Sequence, residues 1–319
     1  MAEPAPRLVD LLADLLALQA PSGAFPSQVE TPAEAVADES CFVTAQVALL
    51  LAALGRSEAA IHAHARALDF LETCEDASLP GAFRFYPQGG RGPRLIDGLP
   101  PDADDSALAW MALVGGRRRE AREGLVRLAG LLPRLACGPL RRGDPPFARA
   151  PLLRTWFHES DPGPVDLTVN LNVLAALAVC GAGRSGCSLS ALMPRLAGRI
   201  SAAVSQHAPS RSAMRVLSPY YAHPAELAIA ALRARACGVP GLDGLAASLA
   251  PVDARDRAAR RPHDRPLYCN AHGRPLWRAP ALQLARLLAD RATTPFDLSL
   301  SPARFSGGFH DCDAQIRPC

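Results

Sequence analysis

Apolar residues recur along this chain at intervals of three and four. Leu8, Leu11, Leu12, Leu15 and Leu16 set the pattern, which places apolar side chains on one face of a 3.6-residue helix. Similar spacing covers roughly Phe42–Leu54, Ser57–Cys74, Asp105–Val114, Ala121–Cys137, Leu167–Cys180, Leu189–Ser205, Ala225–Cys237 and Pro280–Asp290. Proline and glycine interrupt it at Pro80-Gly81, Gly89–Pro93, Gly138–Pro146 and Asp161–Pro164, where a regular element does not easily continue. No stretch shows the two-residue alternation of a half-buried strand. The charged segment Asp253–Asp264 breaks the apolar pattern and reads as a solvated, mobile loop. The fold class expected from this pattern is all-α.

The 319 residues accommodate about ten to twelve helices with their loops. That number suits a single-barrel (α/α)6 double-ringed helical toroid, with a solenoid as the alternative. A faint internal echo favours the toroid. Gln19–Phe25, Gly81-Ala82-Phe83 and Gly307-Gly308-Phe309 each put a small-residue turn and an aromatic after or between helices, as stacked repeats do. No clear boundary divides the chain, so residues 1–319 are expected to form one domain, with Gly138–Pro146 as a surface loop within it.

Hydrophobic residues make up 49% of the chain, enough for a sizeable core. The net charge of +3, without a basic run alternating with aromatics, gives no footing for nucleic acid. Lysine is absent, so every strong cation is an arginine. No apolar run approaches the ~20 residues that span a bilayer, and Met1–Arg7 lacks the basic start and apolar core of a secretion signal. The expected location is cytoplasmic, with a peripheral membrane contact open for a lipid-like substrate. Nine cysteines are scattered without a CxxC pair. His310, Cys312 and Cys319 come nearest to a metal clip, but their spacing matches no zinc pattern, so no metal site is expected.

The most informative segment is Pro100-Pro101-Asp102-Ala103-Asp104-Asp105-Ser106-Ala107-Leu108-Ala109-Trp110. Two prolines stop any preceding helix, three carboxylates follow within four residues, and then an apolar helix begins. One aspartate suffices to cap a helix. Three crowded together repel unless a proton is shared, which lifts at least one pKa. An acid that keeps its proton near neutral pH is what general acid catalysis uses. The helix dipole favours the ionised form, so burial or a hydrogen-bonding partner has to prevail. A helix cap and a catalytic acid both remain readings of these residues.

The string DADDSALA resembles the DxDD acid motif of class II terpene cyclases, the superfamily of squalene-hopene cyclases and bicyclic diterpene cyclases. The Gly/Phe echoes resemble an eroded form of the repeat in squalene cyclases and protein prenyltransferase subunits. The resemblance implies a double-ringed α-barrel in which the middle aspartate, Asp104, donates a proton to a terminal alkene or epoxide of a linear isoprenoid, with Asp102 and Asp105 as supporting groups. Two departures matter. Members that cyclise triterpenes or diterpenes usually have two barrels with the chamber between them, and this chain is about half that length. One barrel then encloses the whole site, or a homodimer partner supplies the missing wall, or the chemistry has changed. Aromatics are also only 5% of residues. Carbocation cyclases use aromatic faces, each worth about 0.5–2 kcal/mol, so a short cascade to a mono- or bicyclic product is expected.

Other residues are candidates for the substrate-binding wall. Trp110 lies on the acid helix. Trp156 precedes the apolar helix that opens at Asp166 and carries Asn170, while Asn172 reads as a partner for loop backbone. Ser218–Pro224 gathers Tyr220, Tyr221 and His223 before a helix, as pocket lining or, for His223, as a terminating base. Trp277 sits in a similar pre-helical cluster. Arg117–Arg119 and Arg141-Arg142 would grip a diphosphate or face solvent. No aspartate-rich DDxxD motif, P-loop, GxGxxG or HExxH is present. No cofactor is therefore expected, Mg2+ entering only if the substrate is a diphosphate. The competing reading is a non-catalytic toroid that binds an isoprenoid or a protein partner. A third, carbohydrate cleavage, needs a second carboxylate about 5–10 Å away across an open polar cleft.

Overall fold

The computed structural model describes residues 7–30, 34–54, 57–89, 99–183, 187, 189–207, 209–259 and 265–292. Eleven helices occur among them: α1 (Leu8–Ala17), α2 (Cys41–Leu54), α3 (Glu58–Glu72), α4 (Ala103–Gly115), α5 (Ala121–Leu135), α6 (Leu167–Val179), α7 (Leu192–Gln206), α8 (Arg211–Leu217), α9 (Pro224–Ala236), α10 (Asp243–Ala259) and α11 (Pro280–Arg291).

The longer helices are of two kinds. Every residue from Ala103 to Val114 of α4 and from Leu167 to Leu177 of α6 is buried, and α2 is nearly as enclosed. Helices apolar on all sides belong in an interior. By contrast α1, α3, α5 and α7 bury a single stripe, Leu128, Leu131 and Leu135 in α5 for example, and turn a polar face outward. Packing follows this division. α2 lies on α4, α4 on α6, α6 on α9, and α11 returns to α2. Arg286 of α11 grips Glu226 of α9 through two bonds of 2.8 Å. Outside this circuit α3 packs on α2, α7 on α6, α10 on α9 and α1 on α11. The buried apolar side chains form one continuous cluster from Leu11 to Leu288.

The all-α expectation needs one amendment. Strands β1 (Ser27–Glu30), β2 (Ala35–Asp38), β3 (Tyr268–Cys269) and β4 (Leu276–Arg278) form a small antiparallel sheet in the order β2-β1-β4-β3. Strands of two to four residues are too short for alternation to register in a sequence. Tyr268 and Trp277 are cross-strand partners and stack, with ring centres 5.5 Å apart.

The charged segment is also corrected. Residues 253–259 continue α10, with Asp253 and Asp256 buried. Asp253 accepts from Arg257 at 2.6 Å and Asp256 pairs with Arg265, which lets the carboxylates sit against the core. Residues 260–264, the Gly307-Gly308-Phe309 echo and the trio His310, Cys312 and Cys319 lie outside the described residues. Among the described residues no helix is long and apolar enough to cross a membrane.

Gly124 marks where α5 meets the core. A Cβ there would lie 2.7 Å from Cys180 Sγ and 2.9 Å from Trp110 Cε3, whereas one on Gly130 of the same helix would meet nothing within 4 Å. Gly124→Ala is expected to cost about 1–3 kcal/mol by overpacking. Gly130→Ala is expected to gain up to about 1 kcal/mol in helix propensity. Urea denaturation of the two variants measures both, and equal effects would contradict this packing.

Candidate active site

The starting ends of the core helices meet at one cavity. α2 contributes Phe42, α4 Asp104 and Asp105, α6 Val169, the approach to α9 Tyr220 and Tyr221, and β4, just ahead of α11, Trp277. The cavity is about 110 Å³ and nearly all of its surface is apolar. Phe85, Trp156 and Tyr268 also line it, so seven of the 17 aromatic side chains in a chain sparse in them face this one space. No arginine or histidine is among the described lining residues.

Backbone pairing positions these side chains. The extended approach to α4 runs between Phe83 and Trp156. Asp102 N donates to Phe83 O at 3.1 Å, Phe157 N to Pro101 O at 3.0 Å and Ala103 N to Thr155 O at 2.8 Å. Ser106 Oγ accepts from Phe83 N at 2.8 Å and donates to Asp102 O at 2.5 Å. Cys41 N holds Phe85 O at 2.8 Å, and Cys269 N holds Tyr220 O at 2.9 Å.

The three aspartates occupy different environments. Asp102 caps α4, its Oδ1 accepting from Asp104 N at 2.8 Å and Asp105 N at 2.7 Å. Asp104 faces the cavity; its Oδ1 accepts from Asn172 Nδ2 at 2.8 Å and its Oδ2 from the Tyr221 hydroxyl. Asp105 receives no N–H or hydroxyl donor on either oxygen, and the carboxyl group it meets is that of Asp102. Two neighbouring buried carboxyl groups repel when both are ionised, which favours retention of a proton. Burial, reinforced by the charges of Asp102 and Asp104, raises Asp105 well above the usual carboxylate range. Burial pushes Asp102 up to about 7 against the hydrogen bonds it accepts. It raises Asp104 too, opposed by Tyr221, Asn172 and the charge of Arg233.

The other expected wall residues divide evenly. Trp156, Tyr220, Tyr221 and Trp277 line the cavity. Trp156 Nε1 donates to Tyr220 Oη at 2.6 Å, and Trp277 Nε1 to the buried Asp38 at 2.8 Å. Four others do not line it. Trp110 points into the core, where Nε1 donates to Gly81 O at 2.8 Å and the ring meets Phe83 edge-on. Asp166 caps α6 and stands one step behind the wall, holding Tyr220 N at 3.1 Å; burial pushes it up to about 7. Asn170 is a backbone clamp, accepting from Leu153 N at 2.8 Å and donating to Leu153 O at 2.9 Å. His223 caps α9, its Nδ1 accepting from Ala225 N at 3.2 Å.

The two asparagines thus exchange the parts expected of them: Asn170 serves the loop and Asn172 reaches the acid. Phe42, Phe85, Tyr268, Asn172 and Arg233 are the participants not singled out as site residues from the sequence. Arg118 and Arg119 are engaged by protein carboxylates at the surface, Arg118 by Asp69 and Arg119 by Glu72, Glu75 and Glu123. Among the described residues no group of three or more His, Cys, Asp or Glu is placed to hold a metal ion.

No family model matches the sequence, and no curated protein matches it. Several solved structures are similar in fold. A variant of the type II terpene cyclase MstE from Scytonema, in complex with merosterolic acid A as product, is 16% identical, with 91% of this chain and 74% of that one covered and a TM-score of 0.48. A protein from Actinoplanes is 16% identical over 91% of this chain and 97% of that one, with a TM-score of 0.45. The cellobiose 2-epimerase of Spirochaeta thermophila is 16% identical over 88% and 96%, with a TM-score of 0.41. Likeness of this degree leaves the activity to be decided by the site.

The buried carboxyls couple stability to pH. Asp102 and Asp166 bind a proton near pH 7 when folded and near pH 4, about the ordinary carboxylate value, when unfolded. Across that window the folded state carries more protons, so their contribution is complete below about pH 4 and is lost as pH rises towards and past 7. Melting temperature is expected to be higher at about pH 5 than at about pH 8. Asp105→Asn, which keeps the shape but removes an ionisable group, is expected to narrow that difference. A difference left unchanged by Asp105→Asn would count against retention of protons in this cluster.

Proposed function

We propose that the chain is a single-barrel, protonation-initiated class II-type terpene cyclase with Asp104 as its proton donor. The observation that carries this reading is a buried carboxyl group in the wall of an apolar cavity, with two hydrogen-bond donors on its oxygens and aromatic rings around it. Burial favours the protonated form of Asp104 before reaction. Its O–H bond breaks as a C–H bond forms at a terminal alkene carbon, or an O–H bond at an epoxide, and the positive charge passes to the isoprenoid. The carboxylate left behind gains from the Tyr221 and Asn172 donors, because hydrogen bonds to an ionised acceptor are the stronger kind. The rings offer their faces to the migrating cation, and a base or water ends the cascade.

The product we assign is mono- or bicyclic, as the short cascade expected from a chain sparse in aromatics. The absence of cationic side chains from the cavity's described lining fits an uncharged reacting end, with any diphosphate outside. We read the circuit of α2, α4, α6, α9 and α11, with its outer helices, as the single toroid, spanning residues 1–319 as one domain. The reading includes no cofactor, a cytoplasmic location, and a peripheral membrane contact or homodimer only if substrate loading calls for them. A purely structural role accounts for Asp102 as a cap but gives no use to Asp104 or Asp105. Carbohydrate cleavage calls for a polar cleft, which an apolar cavity does not supply.

The test is incubation with farnesyl, geranylgeranyl and squalene-type substrates, with and without magnesium. The panel should include geranylgeranyl dihydroxybenzoate, the substrate held by another variant of the Scytonema cyclase. A cyclic product carrying solvent deuterium at the protonated atom is expected. Asp104→Asn is expected to lower kcat by at least about 10²–10⁴ while the helical circular dichroism spectrum is retained. Full activity in that variant would sink the proposal.

A further inference from the structure

One helical turn beyond the cavity wall, a polar layer crosses the core. Gln46 follows Phe42 by one turn of α2, and Asn172 follows Val169 by one turn of α6. Arg233 of α9 joins them. Its guanidinium donates to Asn172 Oδ1 at 3.2 Å and to Gln46 Oε1 at 3.2 Å. Gln46 Oε1 also accepts from Arg286 at 3.3 Å, and Arg286 is forked onto Glu226. The layer is therefore anchored from α2, α9 and α11, and Arg233 does not line the cavity.

A primary amide has two ends nearly alike in shape and opposite in polarity. Turned one way, Asn172 donates N–H to Asp104 and stabilises the carboxylate. Turned the other way, its carbonyl would accept the Asp104 proton and stabilise the neutral acid. A guanidinium on Oδ1 permits only the first orientation, because guanidinium has donors alone and does not deprotonate. We infer that Arg233 is a positioning residue that sets the acid strength of Asp104 by holding Asn172 in its donating sense. The inference rests on Asp104 being the acid of the proposed reaction.

Other groups act on Asp104 from the elements packed around it. Asp102 and Asp105 lie on α4, Asp166 at the start of α6 and Tyr221 ahead of α9. Behind Asp105 stand Cys41 of α2 and Cys74, just past α3. These groups are neutral or anionic, and Arg233 is the cation among those acting on Asp104. A purely structural arginine would stabilise the layer without acting on Asp104 through one particular amide.

The experiment follows Asp104 itself, by the infrared carboxyl band of 13C-aspartate-labelled full-length protein, with Asp104→Asn giving the difference spectrum. Arg233→Met is expected to move the Asp104 titration up by about one pH unit, a tenfold change in proton affinity, and by less than half as much in an Asn172→Ala background. An unmoved titration, or one moved equally with and without Asn172, overturns the inference. If Arg233→Met does not fold, Arg233→Gln replaces it, whose amide can present either its donor or its acceptor end and so releases the hold on Asn172. An upward shift with Asn172 present and none without it supports the inference, and no shift in either background overturns it. The measurement needs no turnover, so a lack of cyclase activity would sink the functional reading while leaving this one decided. In active enzyme the alkaline limb of the kcat profile moves with the titration, and KM does not.

Discussion

The start of an α-helix leaves backbone N–H groups without partners and a partial positive charge, both of which need an answer when the helix end is buried. Here several starts converge on one largely apolar cavity. The buried carboxylates of Asp102 and Asp166 answer for α4 and α6, and the His223 ring for α9. Those caps place negative charge where water cannot screen it, and Asp104 and Asp105 crowd the same spot. Retaining protons in this cluster is the least costly way to relieve the repulsion. An acid that holds its proton is thus a by-product of how the helix ends are satisfied.

Two opposite influences act on Asp104. Burial raises its affinity for a proton, while Tyr221, Asn172 and Arg233 favour its release. For the proposed reaction neither suffices alone: burial only would hold the proton too tightly, and donors only would favour the ionised form. The polar layer beneath and the apolar wall above meet at this one side chain. The groups that act on it come from three stretches of chain far apart in sequence, 102–105, 166–172 and 221–233.

Much of this architecture could be read from the chain, and what could not has physical causes. The core helices announced themselves through long apolar runs, and the acid cluster through three carboxylates after two prolines. α10 is hidden because it contains Pro251 and because its acids read as solvated, whereas Asp253 and Asp256 are buried against Arg257 and Arg265. The sheet was hidden because its strands are short. Asn170 and Asn172 were misassigned because a helix buried on every side gives no stripe from which its rotation can be read. Trp110 failed for the same reason, since α4 is apolar all round and nothing local says which side faces the cavity. Aromatic scarcity implies a short cascade and says nothing of placement, and the fold gathers Phe42, Phe85, Tyr268 and four others around the cavity.

Strand β1 remains unpaired on one side until β4 reaches it. Synthesis runs from the N-terminus, so the acid helix leaves the ribosome long before Tyr268 and Trp277, which supply a wall of the cavity. In a nascent chain the cluster of carboxyls would stand in water, ionised like any others. The buried surroundings that raise their proton affinity are completed only when distant segments pair, a slow class of contact. Enclosure of this cluster is therefore acquired late in folding, when β4 pairs with β1.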